Sequence, residues 1–354
     1  MKVSVIILNW NAEHLLRQFL AGIVRHSALP HSMGSVEIVV ADNGSTDSSE
    51  AYVASLCSVT PINGSPSLRW LPLGENYGFA EGYNRAIAHV DADYVVLLND
   101  DVEVTPNWLV PLVSYMDAHP NVAACQPKLL SQCQKDYFEY AGACGGYLDR
   151  YGYPYCRGRL FNTVEKDCGQ YDIPASVLWA TGACLFIRTD DYRIAGGLDA
   201  RFFAHMEEVD LCWRLRCRQR TIVCLPQSTV YHVGGASLAA GSPRKTFLNF
   251  RNNLLMLYKN LPQKELKGVL FIRAILDIIA AFTFLLKGER KNFIAVLRAR
   301  QEYHRMRPYY VAVRQANIDA AMSAGNPTLQ VPERSSFSLL VRYHLFHRKT
   351  YDKL

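Results

Sequence analysis

The chain lacks the cysteine patterns that mark most zinc and redox sites. Its ten cysteines include no CxxC pair and no Cys/His spacing typical of zinc. We therefore expect reduced thiols, many of them buried. The amino terminus also lacks the basic region, long apolar core and small-residue cleavage site of a signal peptide, which favours a cytoplasmic location.

Two common nucleotide-binding signatures are missing as well. The glycine-rich segment 74–84 has neither the spacing of the dinucleotide fingerprint nor that of a P-loop. This absence argues against a hydride-transfer cofactor and against a Walker-type ATP site. The glycines would still let the backbone approach a ligand closely, and the helix start that follows would favour a phosphate or sugar oxygen.

The charge is unevenly distributed along the chain. The 354 residues have a net charge of +6, yet residues 287–354 alone have 13 basic and 5 acidic side chains, a net +8. The remaining residues therefore sum to −2. A neutral-to-acidic body with a basic tail indicates attraction to an anionic surface, of which lipid headgroups and nucleic acid are the usual examples.

Apolar runs rich in Val and Ile alternate with helical patterns in the first two thirds of the chain. The predicted strands are 3–8, 36–40, 94–98 and 184–187, and the predicted helices are 12–26, 48–55, 79–89 and 107–119. Runs that are apolar on both faces fit parallel strands covered by helices, so the alternation predicts a wound α/β sheet. Residues 132–170 show little periodicity and are predicted to form loops and short strands over the sheet edge.

After residue 232 the patterns become helical, over 247–261, 267–286 and 290–307. We therefore predict a catalytic domain over 1–260 and a basic, amphipathic helical region over 261–354. The middle helix is borderline in length for a bilayer span, and Arg273 and Asp277 would each cost about 2.5–3.5 kcal/mol on insertion scales. Association with a membrane surface is favoured over a span and over a helix pair packed on the domain. No function is assigned beyond residue 307.

Two carboxylates stand where the predicted strand 94–98 ends. In open α/β sheets, ligands bind beyond the carboxyl ends of the strands, and hard cations take one or two carboxylates plus phosphate oxygens. Asp100 and Asp101 therefore indicate a divalent metal that holds substrate phosphates. The alternative is that they only cap the helix that follows Pro106.

Asp42 follows a second predicted strand and opens the polar stretch 42–47. Such a stretch makes a tight turn and then caps a helix, which is the purely structural interpretation. In the functional interpretation, the carboxylate of Asp42 accepts hydrogen bonds from a nucleobase or ribose. The joint placement of Asp42 and Asp100 at strand ends favours a nucleotide site.

Three further carboxylates and a histidine occur later in the chain. Glu207, Glu208 and Asp210 begin an amphipathic helix, where acids are common because they suit the helix dipole. A carboxylate fixed at the mouth of a cleft is also where a general base must sit. His232 follows another predicted strand and is either structural or a neutral imidazole ligand of a metal.

Together these segments resemble glycosyltransferase family 2, the inverting GT-A enzymes, and most closely its rhamnosyltransferase-like members. The similarity runs from about residue 3 to residue 260 and consists of five ordered motifs. It implies that a nucleoside-diphosphate sugar is bound by Asn11, Asp42, Asn76, Gly78, Phe79, Asn84, Asp100 and Arg251. Residues 179–183 resemble the segment that lines the acceptor side.

The same resemblance assigns the metal ligands and the base. Residues 99–101 occupy the family's DxD position, with Asn where many members have the first Asp. This implies that Asp101 is a ligand of Mg²⁺ or Mn²⁺ and that His232 completes the site. Glu208 occupies the position of the base, which is usually Asp in the family, and Asp210 is its rival.

The resemblance thus implies an α/β protein of the GT-A type, with a Rossmann-like wound mixed sheet flanked by helices and a C-terminal helical appendage. Its expected activity is inverting sugar transfer from a dTDP-rhamnose or UDP-sugar donor to a hydroxyl of a surface polysaccharide or lipid-linked glycan. We expect this reaction at the cytoplasmic face of the membrane, without a nucleic-acid partner.

Two other functions remain open. A nucleotidyltransferase acting on sugar phosphates would share the sheet and the metal site, but residues 3–16 lack the basic, glycine-rich signature that holds a triphosphate. A non-enzymatic scaffold could bind membrane or nucleic acid through the basic tail, in which aromatic and basic residues alternate over 342–349.

Overall fold

The structure is a computed structural model that describes residues 1–57, 65–234 and 241–354. Its strands are β1 Lys2–Asn9, β2 Ser35–Asp42, β3 Ser67–Pro72, β4 Tyr94–Leu98, β5 Val102–Val104, β6 Val122–Ser131, β7 Gly146–Leu148, β8 Pro154–Cys156, β9 Arg159–Leu160, β10 Thr163–Val164, β11 Ala175–Val177, β12 Cys184–Arg188 and β13 Thr221–His232. Its α-helices are α1 Glu13–His26, α2 Ser49–Cys57, α3 Gly78–Ala88, α4 Leu109–Ala118, α5 Thr189–Ile194, α6 Glu207–Cys217, α7 Pro243–Asn260, α8 Gln263–Leu286, α9 Arg290–Met306 and α10 Tyr310–Ser323.

The main sheet has the strand order β11-β13-β6-β12-β4-β1-β2-β3, and β5 pairs with the end of β13. Strands β1 to β4 run parallel, β12 is antiparallel to both β4 and β6, and β13 is parallel to β6. The carboxyl ends of β1, β2, β4 and β13 and the start of β12 therefore share one edge. This topology brings residues that are far apart in the sequence to the same edge of the sheet.

The sheet is buried on both faces, as expected for strands covered by helices. On one face, apolar residues of β1, β2 and β4 pack with α1 and α4. On the other face, the alternate residues pack with α3, α6 and α7. The mixed α/β class predicted from the sequence is confirmed.

Residues 132–170 form more regular structure than the sequence indicates. They contain a second, four-stranded sheet in the order β10-β9-β8-β7. The end of the chain packs against this small sheet, because Leu339 and Tyr343 share an apolar cluster with Tyr155 and Leu160. The basic, aromatic tail is therefore folded against the protein.

The helices after α7 pack on the same core as the main sheet. Tyr303, Tyr310 and Ala321 belong to the apolar cluster that includes α3 and α6, and Asn326 donates to the Cys217 carbonyl at 3.1 Å. Helix α10 was not predicted from the sequence. The division at residue 260 remains a prediction, since the two parts share their core.

Candidate active site

The end of β2 and the turn after it are tied to the end of β1. The Asp42 carboxylate accepts hydrogen bonds from the Ser45 amide at 3.1 Å and the Asn9 amide at 3.2 Å. Asn11, at a positive φ of 52°, accepts from the Thr46 amide at 2.7 Å. The turn interpretation of Asp42 thus describes real contacts, but a carboxylate has about four acceptor positions and so can also bind a ligand.

Asn43 fixes the glycine-rich loop over this turn. Its amide donates to the Asn76 side chain at 3.2 Å and to the Gly78 carbonyl at 3.1 Å, and its oxygen accepts from the Tyr77 amide at 3.1 Å. Asn76 also accepts from the Gly78 amide at 2.9 Å. The donor loop predicted from the sequence therefore lies beside the predicted nucleoside-binding turn.

The same loop contacts the segment that precedes α6. Gly78 has a φ of +79°, and a Cβ there would lie 2.5 Å from the Phe203 ring, so only glycine fits. The Phe79 amide donates to the Phe203 carbonyl at 2.7 Å. The start of α3 and the start of α6 are thereby held together.

The segment before α6 has an unusual backbone. Phe203, His205 and Met206 all have φ between 66° and 73°, a region that costs about 1–2 kcal/mol for residues with a Cβ. The fully buried amide of Asn252 donates to the carbonyls of Phe202, Ala204 and His205 at 2.8–3.0 Å. These bonds hold the backbone in a conformation that it would otherwise leave.

Glu208 lies where the donor loop meets the start of β12. A Cβ at Gly182 would be 3.1 Å from the Phe79 ring and 3.8 Å from the Glu208 Cβ, so the three residues are neighbours. The Oε2 of Glu208 is buried and has no hydrogen-bond partner within the part of the chain that the structure describes. Burial raises the pKa of Glu208, while backbone hydrogen bonds oppose the rise. Glu207 is also buried, and burial together with the charge of Glu208 raises its pKa well above the usual range.

Asp210, the rival base, occupies a different environment. It is completely buried and lies 2.7 Å from Lys259 Nζ, 2.9 Å from Arg214 Nε and 2.8 Å from Asn260 Nδ2. Burial alone would raise its pKa, but the ion pairs with Lys259 and Arg214 outweigh burial and lower it. The carboxylate of Asp210 is fully engaged inside the protein, so these contacts favour Glu208 over Asp210, and the identity of the base remains a prediction.

Asp101 and His232 meet at the carboxyl ends of β4 and β13. His232 Nε2 lies 3.0 Å from Asp101 Oδ1, and its Nδ1 lies 3.4 Å from Glu139 Oε1. Burial would lower the pKa of His232, but Asp101 and Glu139 outweigh it and raise the pKa to about 10. The two carboxylates therefore stabilise a positive charge between them.

This pair fits a metal site in which the substrate supplies the remaining ligands. Asp101 Oδ1 lies 3.0 Å from His232 Nε2, so the two atoms offer one hard oxygen and, once the imidazole has lost its proton, one nitrogen donor. Within residues 1–57, 65–234 and 241–354, no group of three or more His, Cys, Asp or Glu side chains could hold a metal by itself. The neighbouring Asp100 is half-buried, and burial followed by repulsion from Asp101 raises its pKa to about 7.

Two predicted donor-binding residues have structural contacts. The Asn84 amide donates to the Leu198 carbonyl at 2.8 Å, and its oxygen accepts from Tyr192 at 2.6 Å and from the Leu198 amide at 3.0 Å. A role of Asn84 in donor binding does not fit these contacts, since they fill both ends of its amide. Arg251 donates to the Arg201 and Phe202 carbonyls at 3.0 Å, so its contact with a diphosphate remains a prediction.

Glu139 is the site residue that sequence reasoning did not find. It lies in the aperiodic segment 132–170 and reaches His232 only because this segment returns over the sheet edge; a backbone bond from Ala141 at 2.6 Å fixes its carboxylate. No local motif marks it. Asn43 and Gly182 lie within segments 42–47 and 179–183, but no individual role was predicted for them.

Comparisons with known proteins agree with this geometry. The pattern of the family described as Glycosyl transferase family 2 matches residues 4–166. An N-acetylglucosaminyl-diphospho-decaprenol L-rhamnosyltransferase of Mycobacterium tuberculosis is 26% identical over 244 residues, which cover 65% of this chain and 75% of that protein.

Two solved structures share the fold. Staphylococcus aureus TarS residues 1–349 with UDP-GlcNAc aligns with a TM-score of 0.55 and 16% identity over 92% of this chain and 90% of that one. GalNAc-T7 with UDP, GalNAc and Mn²⁺ aligns with a TM-score of 0.57 and 14% identity over 75% of this chain, which spans about half (49%) of that one. The fold is therefore that of the GT-A glycosyltransferases. The family pattern over residues 4–166 and the related sequences support a family 2 glycosyltransferase that is similar to the rhamnosyltransferases.

Proposed function

We propose that this protein is an inverting hexosyltransferase that moves a sugar from a nucleoside-diphosphate donor to an acceptor hydroxyl, with Glu208 as the base. The observation that carries the proposal is the buried Oε2 of Glu208, which has no hydrogen-bond partner among the described residues and belongs to a side chain whose Cβ lies beside Gly182 and the Phe79 ring. A carboxylate with one oxygen left unbonded and with a raised pKa is suited to accept a proton.

The other residues have distinct proposed roles. Asp42, the last residue of β2, and Asn11, just after β1, bind the nucleoside. The loop that contains Asn76 and Gly78 covers it, and Asp100 lies near the ribose or sugar. Glu208 then removes the acceptor proton as the hydroxyl attacks the anomeric carbon from the opposite face. A single displacement inverts that carbon, so no second nucleophilic carboxylate is required.

Asp101 and His232 are proposed to hold a divalent cation, Mg²⁺ or Mn²⁺. The cation would stabilise the negative charge that develops on the departing nucleoside diphosphate. The proposal is supported by the adjacent donors at 3.0 Å and by the Mn²⁺ in the GalNAc-T7 structure. Two protein ligands suffice where phosphate oxygens and water complete the shell.

The donor and acceptor are proposed from the related proteins. The mycobacterial relative is named for the transfer of L-rhamnose to a lipid-linked N-acetylglucosaminyl diphosphate, and TarS was solved with UDP-GlcNAc. We propose a dTDP-rhamnose or UDP-sugar donor and a glycan or lipid-linked glycan acceptor. The reaction would occur at the cytoplasmic face of the membrane, with the catalytic domain in residues 1–260 and the helical region in 261–354.

A product assay tests the proposal. The purified chain would be incubated with nucleotide sugars, Mn²⁺ and a polyprenyl-diphosphate N-acetylglucosamine acceptor, and NMR would give the anomeric configuration of the product. We expect a released nucleoside diphosphate and an inverted linkage, both lost in Glu208→Gln. Released pyrophosphate would favour the nucleotidyltransferase instead, and a retained linkage would contradict the single displacement.

A further inference from the structure

Helix α8 has its charged residues turned towards the protein. Arg273 is buried and lies 3.1 Å from Asp277, which in turn pairs with Arg300 of α9 at 2.7 Å. Arg273 also donates to the Tyr151 carbonyl at 2.9 Å. The polar face of the helix is therefore the face that binds the body of the protein.

The opposite face of α8 is apolar and exposed. Phe271 is 66% exposed and Leu286 is 89% exposed, which is unusual for large apolar side chains. The exposed apolar residues of α8 and α9 are Phe271, Ile275, Ile278, Ile279, Phe282, Leu285, Leu286, Ile294 and Leu297, here called the apolar stripe. On α8 they recur three, four or seven residues apart, so they line one side of the helix over about 22 Å at a rise of 1.5 Å per residue.

We propose that the apolar stripe docks the protein on the surface of an anionic membrane. Soluble monomers rarely expose a contiguous apolar face of this length. The exposed charged residues of the same helices and their connection are almost all basic, namely Lys264, Lys267, Lys287, Arg290, Lys291, Arg298 and Arg305, with Glu289 the acidic one. At a membrane surface, the apolar side chains would contact the acyl chains and the basic side chains around them would contact the anionic headgroups.

Neither a second copy nor a span fits these residues as well. Two copies meeting through the stripe would bring the same basic residues together. Helix α8 is long and apolar enough to cross a membrane, but a span would pull Arg273 and Asp277 away from Arg300 and Tyr151. The helix is thus positioned to lie in the plane of the interface.

This docking deepens the proposed function, because it would hold the enzyme on the surface where a lipid-linked acceptor is presented. The binding itself requires no turnover. Its failure can therefore be distinguished from a failure of the proposed reaction.

Vesicle co-sedimentation of the full chain tests the docking. The probes are vesicles of phosphatidylcholine alone and vesicles that also contain about 30% phosphatidylglycerol, which makes their surface anionic. The stripe variant combines Phe271→Gln, Ile278→Gln and Phe282→Gln. A matched control replaces two exposed apolar residues of α10, Val311→Gln and Met322→Gln, which lie outside the stripe.

We expect the wild type and the control to bind anionic vesicles more tightly than neutral ones, and the stripe variant to lose about tenfold or more of this affinity. The thermal melt and the transfer to a soluble acceptor should be unchanged in both variants. Equal binding by the stripe variant would overturn the proposal. The proposal would also be overturned if the wild type did not bind vesicles and instead formed dimers that the stripe variant disrupts. Resistance of the wild type to extraction by alkaline carbonate would overturn it as well, because that behaviour is typical of a spanning protein.

Discussion

Glu208 and Asp210 are two residues apart on α6, yet we expect the replacement of Glu208 to affect activity and the replacement of Asp210 to affect stability. Glu208→Gln keeps the size of the side chain and removes its ability to accept a proton. Asp210→Asn removes the negative charge that faces Lys259 at 2.7 Å and Arg214 at 2.9 Å. We expect the first change to abolish transfer and the second to destabilise the protein.

The magnitudes follow from the contacts. Loss of a positioned base typically lowers the rate by about 10²–10⁴-fold, or about 3–5 kcal/mol of barrier. Glu208→Gln keeps a side-chain oxygen that can accept the backbone hydrogen bonds of the carboxylate, so its unfolding free energy should change by about 1 kcal/mol or less. Removing one partner of a buried ion pair costs about 3–5 kcal/mol. The lower end applies to Asp210, because Lys259 keeps a second partner in Asp199 at 2.6 Å.

The pH dependence provides an independent check. Since burial raises the pKa of Glu208, the acid limb of kcat/KM should lie above the ordinary glutamate pKa of about 4.3. The pKa of Asp210 is shifted in the other direction, below its ordinary value. Its stabilisation is present above the unfolded value of about 3.9 and is lost as the pH falls through the folded value, so Asp210→Asn should remove this part of the acid denaturation.

The assay measures released nucleoside diphosphate, corrected for the folded fraction, together with urea unfolding of both variants and the wild type. Asp210→Glu serves as the control for retained charge with altered geometry. If Asp210→Asn folds normally and loses turnover while Glu208→Gln keeps its turnover, Glu208 is not the base. Equal stability losses in both variants would also contradict the assigned environments.

Three further changes test the parts of the site that position these groups. Glu139→Gln should weaken Mn²⁺ affinity by about 10–100-fold, because the carboxylate at 3.4 Å orients His232, and isothermal titration in the presence of a nucleoside diphosphate measures this without turnover. Gly182→Ala should place a methyl 3.1 Å from the Phe79 ring and raise the donor KM with little change in melting temperature. Asn252→Ala should lose about 1–3 kcal/mol of unfolding free energy, measured in urea, because buried carbonyls are left without their donor.

The parallel strands were predictable because their apolar runs are nearly continuous. β1, β2 and β4 needed only the rule that strands buried on both faces are apolar on both faces. β6 was missed because Gln126 and Lys128 lie inside it. Gln126 accepts from the buried Thr181 amide at 2.9 Å, and Lys128 pairs with Asp167 at 2.7 Å. Tertiary partners thus permit polar residues where the local pattern predicts a loop.

The residues of the candidate site also differ in how far the local sequence could identify them. Asp42 and Asp101 were identifiable because strand ends in a wound sheet meet at one edge. Glu139 was not, since its position depends on how residues 132–170 return over the sheet. The contacts of the Asn84 amide could not be predicted either, because its partners Tyr192 and Leu198 come more than a hundred residues later.

The choice between Glu208 and Asp210 shows why a motif alone does not identify a base. On a helix, residues two apart point in directions about 200° apart, so the two carboxylates cannot face the same region. Which of them faces inward is decided by α7, which brings Lys259 and Asn260 to Asp210 from about fifty residues later. These contacts fix the rotation of α6, and the rotation turns Glu208 towards Gly182 and the donor loop. The preference for Glu208 over Asp210 as the proposed base thus depends on Lys259 and Asn260, two residues of α7 that the local sequence of α6 does not contain.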